Sequence, residues 1–84
     1  MSWEFKYKRD AYRFLEQRNL LNEFEKTIAS FIKKEEGADI KKLHGEYKGS
    51  YRLRIGKIRI IFKIDFEGQI IYVKKADFRG GIYK

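Results

Sequence analysis

The 84 residues make one small domain, because a chain of this length cannot bury two separate hydrophobic cores. A content of 43% hydrophobic and 17% aromatic residues excludes a disordered tail despite 38% charged residues, and the absence of cysteine excludes disulfides, thiol nucleophiles and zinc–thiolate sites. The net charge of +8 is unevenly placed: residues 1–40 hold eight basic and eight acidic side chains, residues 41–84 twelve and four, which points to a surface that meets a nucleic acid or an acidic protein.

Trp3, Phe5 and Tyr7 alternate with Glu4, Lys6 and Lys8, the period of a half-buried strand. From Asp10 to Arg18, Ala11, Phe14 and Leu15 recur at helical spacing, which predicts a short first helix. A second helix is predicted from Leu20 to Glu36 on the stripe Leu21, Phe24, Ile28, Phe31 and Ile32, with Asn19 as its N-cap and Gly37 as its stop. Ala38 to Lys48 has no sustained period and reads as a connecting loop pinned by Ile40 and Leu43. Tyr51, Leu53 and Ile55 alternate with Arg52 and Arg54, and Ile58, Ile60, Phe62 and Ile64 alternate with Lys57, Arg59, Ile61 and Lys63. These are two strands meeting at Gly56. Asp65 to Gly68 supplies a turn, and Gln69 to Ala76 a further strand. The expected fold is α+β, in the order β-α-α-β-β-β, an antiparallel sheet with two N-terminal helices packed on one face. The longest apolar run, Ile70 to Val73, is far short of the roughly 20 residues of a membrane span, and the N-terminus has no secretory apolar segment. Neither membrane insertion nor export is expected.

A turn at Gly56 and Lys57 sets Ile55 against Ile58, Arg54 against Arg59, Leu53 against Ile60 and Arg52 against Ile61. Leu53, Ile55, Ile58 and Ile60 then face the helices, and Arg52, Arg54 and Arg59 share the other face. Like charges directly opposite each other cost up to about 1 kcal/mol per pair, so this cluster reads as a site awaiting an anion. Guanidinium groups suit phosphate because their planar fork donates two parallel hydrogen bonds. The plain alternative is a solvated basic strand face. Lys41, Lys42, Lys57 and Lys74 are the candidate RNA-binding lysines. His44 stands alone and cannot anchor a conventional zinc site, and no metal or cofactor is expected. Tyr47 and Tyr51 read as packing residues. Tyr83, beside Arg79, Gly80 and Gly81, either caps the core or serves the site.

The whole chain resembles the RelE-type toxins of the RelE/ParE superfamily. The resemblance rests on the two-helix start, Lys41-Lys42-Leu43-His44-Gly45, the run from Tyr51 to Phe62, and the closing Phe78-Arg79-Gly80-Gly81-Ile82-Tyr83. It implies a cytoplasmic toxin held by an acidic, RelB-like antitoxin, touching operator DNA only through that complex. It also implies metal-independent cleavage of mRNA in the ribosomal A site, by attack of a 2′-hydroxyl on the adjacent phosphate. Arg52, Arg54 and Arg59 match the family's basic sheet residues, and Arg79 and Tyr83 its tail arginine and tyrosine. The best-known branch has lysines at Arg52 and Arg54. A guanidinium is always protonated, so neither arginine is a general base. Many relatives have histidine at Phe78. With that acid–base group replaced, Tyr83 or a lysine remains. The resemblance also covers the ParE branch, which binds DNA gyrase without catalysis, and the charge alone is compatible with a plain nucleic-acid-binding module.

Overall fold

The computed structural model describes residues 3–35, 39–45 and 49–78. Among these the order is β1 (Glu4–Tyr7), α1 (Arg9–Gln17), α2 (Leu21–Ile32), β2 (Asp39–Lys42), β3 (Ser50–Ile55), β4 (Ile58–Asp65) and β5 (Ile70–Phe78). The two helices pack on one face of a five-stranded sheet of order β1-β5-β4-β3-β2. The expected α+β architecture and element order are present, with two additions.

The first addition is β2, which lies in the segment read as a loop and pairs antiparallel with β3. Its sequence, Asp39-Ile40-Lys41-Lys42, has one apolar residue and no period; the strand is held by its backbone ladder to β3, by the Asp39–Arg52 ion pair and by Ile40 against the core. Such a short, charged strand suits a sheet edge because it discourages further strand addition. The second is the direction of β1. The segment from β2 to β5 is the antiparallel meander expected, but β1 runs parallel to β5, tied by Glu4 N–H to Gln69 O at 2.9 Å and Lys8 N–H to Val73 O at 3.0 Å. The sheet is therefore mixed. The helices carry the chain across the sheet, from β1 on one edge to β2 on the other, and a crossover of this kind permits parallel neighbours.

Ala11 and Leu15 of α1 and Phe24 and Ile28 of α2 are buried against Leu53, Ile58, Ile60, Phe62, Ile71, Val73 and Ala76 of the sheet. Phe24 is the centre of an aromatic series: its ring meets Phe5 at 6.0 Å, Tyr7 at 6.2 Å and Phe62 at 6.0 Å. Phe62 in turn stacks on Tyr51 at 5.7 Å, and Tyr51 meets Phe31 at 5.8 Å. Tyr51 is thus a packing residue, as its sequence position indicated; Tyr47 lies outside the described residues. Edge-to-face and offset contacts of this kind add about 0.5–1.5 kcal/mol each beyond area burial, so the series fastens α2 to both halves of the sheet.

The helix ends differ from expectation. Asn19 does not cap α2, whose N-cap is Leu20; it has φ of 56° and closes α1 instead. Asn19 N–H donates to Glu16 O and Leu20 N–H to Leu15 O, the paired bonds of a Schellman motif, with Leu20 beside the core. Asparagine suits both an N-cap and the left-handed conformation, and the need to terminate α1 takes precedence. The end of α2 repeats the device: Lys34 at φ 63° donates to Phe31 O and Glu35 N–H to Ser30 O. The helix therefore ends at Ile32, before Gly37, which lies outside the described residues.

Two outcomes are expected. A left-handed lysine costs about 1–2 kcal/mol relative to its right-handed form, and glycine removes that cost while adding unfolded-state entropy. Lys34→Gly should therefore stabilise the protein by about 0.5–1 kcal/mol in urea unfolding. Tyr7 Oη donates a hydrogen bond of 2.5 Å to Glu25 Oε2, joining β1 to α2. Burial, followed by that bond and the nearby Glu25 charge, raises the Tyr7 phenol above its ordinary value. The folded state keeps the phenol neutral while the unfolded chain ionises near pH 10. This stabilisation is fully present below about pH 10 and is lost as the pH rises beyond it. Tyr7→Phe should flatten the fall in urea midpoint between about pH 9 and 11 relative to wild type.

Candidate nucleic-acid interface

The β3–β4 register is the one derived above: Ile55 opposite Ile58, Arg54 opposite Arg59, Leu53 opposite Ile60 and Arg52 opposite Ile61. Because side chains alternate along a strand, cross-strand neighbours form rows on the face away from the helices. Asp39, Arg54, Arg59 and Asp77 make the first row, Lys41, Arg52, Ile61 and Lys75 the second, and Ser50, Lys63, Tyr72 and Lys6 the third. A bulge in β5 adds to the charge. Ile61 faces Lys75 while Phe62 faces Val73, so Lys74 is an extra residue on β5. Its ammonium donates to Ser50 Oγ at 3.2 Å, on the same face as Lys75.

Arg54 and Arg59 are neighbours, as expected, but they are not uncompensated. Asp39 stands beside Arg54 and Asp77 beside Arg59, giving the row two favourable opposite-charge neighbours for one unfavourable like-charge pair. With two arginines and two aspartates the row is formally neutral. The Nε atoms of both arginines are buried. Arg54 Nε and Asp77 Oδ1 have no hydrogen-bond partner among the described residues. A carboxylate oxygen without a partner beside a guanidinium pair is a hydrogen-bond acceptor, which the arginines themselves cannot be.

Arg52 occupies a different environment. It is 6% exposed, and its Nη1 donates to half-exposed Asp39 Oδ1 at 3.2 Å. It is an ion-paired residue lying across the sheet. Ser50 and Ile61 on this face are also fully buried, so the face is less open than the strand pattern implied.

The candidate lysines separate. Lys41 and Lys74 lie with the basic rows; Lys42 sits opposite Tyr51 on the helix side, and Lys57 is exposed in the turn. Arg79 and Tyr83 lie outside the described residues. Just before them, Phe78 meets Phe14 at 5.3 Å, and the Arg18 guanidinium lies 3.8 Å from the Phe14 ring centroid and 4.9 Å from that of Phe78. This aromatic–cation stack at Phe78 fixes the end of β5 to α1. Lys63 and Tyr72 follow from the strand alternation, whereas Asp39, Asp77, Lys6 and Lys75 were missed as members of this face. Their signal was available only after the β5 and β2 registers were known. Among the described residues no group of three or more His, Cys, Asp or Glu side chains is placed to hold a metal ion, and no helix is long and apolar enough to cross a membrane.

No family model and no curated protein matches the sequence. Solved structures do match over nearly the whole chain. YoeB from Staphylococcus aureus, solved as a dimer, superposes with a TM-score of 0.69 at 15% identity, covering 93% of this chain and 98% of that one. The toxin–antitoxin complex RelBE2 of Mycobacterium tuberculosis gives 0.66 at 21% identity, covering 94% and 100%. YafQ of E. coli gives 0.65 at 10% identity, covering 99% and 100%. The fold is that of the RelE, YafQ and YoeB toxins. Within this RelE-like fold the arginine row and the basic rows occupy the sheet face that the helices leave uncovered.

Asp39→Asn should leave the buried Arg52 charge with a weaker partner. Removing one member of a buried pair costs about 3–5 kcal/mol, and exposure of Asp39 reduces this to about 1–3 kcal/mol. The expected outcome is a lower urea midpoint with an unchanged slope.

Proposed function

We propose that this chain is the toxin of a type II toxin–antitoxin system and a ribosome-dependent, metal-independent endoribonuclease that cuts mRNA in the A site and arrests translation. The observation that supports this most is the Arg54–Arg59 pair, held side by side on the uncovered face of a RelE-like fold. In the proposed reaction a 2′-hydroxyl attacks the adjacent phosphate, leaving a cyclic phosphate and a 5′-hydroxyl. Arg54, Arg59 and Arg79 stabilise the charge that develops on the phosphate oxygens. Arg52, bound to Asp39, supports the site from within the sheet. Tyr83, in its ionised form, takes the proton of the attacking hydroxyl, and the departing 5′-oxygen takes a proton from solvent. Lys41 and Lys74 contribute to holding the RNA strand. The antitoxin is an acidic chain whose charge complements the +8 of this one.

Toeprinting on translating ribosomes should reveal A-site breaks; intact mRNA at saturating protein would remove the nuclease reading. Arg59→Ala should slow cleavage by about 10²–10³-fold, the usual cost of losing one oxyanion donor. Tyr83→Phe keeps the ring and deletes only the hydroxyl, and should slow it by about 10²–10⁴-fold with ribosome binding near wild type. A Tyr83→Phe variant that cuts at the wild-type rate would transfer the base role elsewhere.

A further inference from the structure

The arginine row is formally neutral, so the positive field of the uncovered face arises from the rows beyond it. There, β1, β5 and β4 frame a groove of about 660 Å³ lined by Lys6, Lys8, Lys63, Tyr72 and Lys74, with Asp65 at its end. A second groove of about 650 Å³ shares Lys8 and Lys74 and runs past Lys75 to Asp77, at the end of the arginine row. Lys6, Lys8, Lys63, Lys74 and Lys75 are exposed, and Lys74 is steadied by Ser50 Oγ. Asp65 has an internal partner, since its Oδ1 accepts from Gly68 N–H at 3.0 Å. Tyr72 is 37% exposed, a large aromatic residue on the surface.

We infer that this groove is a binding site for single-stranded RNA, in which one base stacks on Tyr72 and the flanking phosphates lie against Lys6, Lys63 and Lys74. The inference rests on the reading that RNA is the substrate, and adds to it a second anchoring point away from the arginines. Ammonium groups are point charges with no preferred approach, which suits a backbone held without sequence preference. A tyrosine face accepts any base. Lys63 lies four residue steps along β4 from Arg59, roughly 13 Å at strand rise. A strand anchored at Tyr72 therefore reaches the arginine row along β4 and β5. An acidic polypeptide would satisfy the lysines but leave the ring uncovered, so RNA is the better fit.

The test is fluorescence anisotropy of the full chain with a short labelled RNA whose 2′-hydroxyls are all methylated, which prevents cleavage by 2′-attack. Tyr72→Ala should weaken binding by about tenfold or more, and Tyr72→Phe should bind as wild type does. Single-strand binding loses about 0.7 in salt slope per phosphate contact. A Lys6→Gln, Lys63→Gln, Lys74→Gln triple variant should therefore lower the slope of log K against log salt by about 2. Unchanged affinity and slope in the triple variant, whose substitutions are all at exposed positions, would overturn the inference. So would equal competition by polyglutamate in wild type and Tyr72→Ala, which would identify an acidic peptide. Binding is measured apart from cleavage. A chain that holds the probe in this way but never cuts mRNA would refute the nuclease reading and leave the groove in place.

Discussion

The arrangement of the sheet depends on one two-residue turn. Gly56 has φ of 58° and Lys57 is not in the positive region, which is the pattern of a type II′ hairpin, whose twist matches that of the strands it joins. This turn sets Leu53 and Ile60 facing the helices and Arg54 and Arg59 facing away. A slip of one residue would send arginine toward Phe24 and leave Ile60 in solvent. The positive φ explains the glycine, since a side chain there would be strained even though the space beside it is empty.

Features carried by side-chain period were legible in the sequence. The alternation through Tyr51–Ile55 and Ile58–Ile64 revealed both strands, and their apolar members set the register that paired Arg54 with Arg59. The stripe through Phe24 and Ile28 revealed α2. Features settled by the backbone or by distant chain segments were not. β2 has too few apolar residues to show a period. Asn19 is equally suited to starting α2 and to ending α1. Nothing local to Trp3–Tyr7 records whether the strand will meet a parallel or an antiparallel partner. Asp39 and Asp77 could not be joined to the arginines from sequence, because one sits on the unread strand and the other lies beyond the bulge at Lys74.

The result is a face with two kinds of positive charge. Arginines stand in a row with carboxylates, partly buried, where net charge is small. Lysines stand in the open, where charge acts at longer range and geometry is loose. Held guanidinium groups suit the precise demands of charge developing on one phosphate, and mobile ammonium groups suit attraction of a polyanion. Burial of Arg52 with Asp39 ties the first group to the stability of the sheet itself.

The bulge also bears on how relatives of this chain are to be compared. Below Val73 and above Lys75, β5 is regular, and the extra residue is absorbed between them. Losing one residue at that point would straighten the strand and leave both halves facing as they do now. Losing one anywhere else in β5 would turn half of the strand over. A relative with a flat last strand should therefore show a single-residue gap here, and an alignment that moves the gap would assign core positions to the surface and exchange Asp77 for an apolar neighbour.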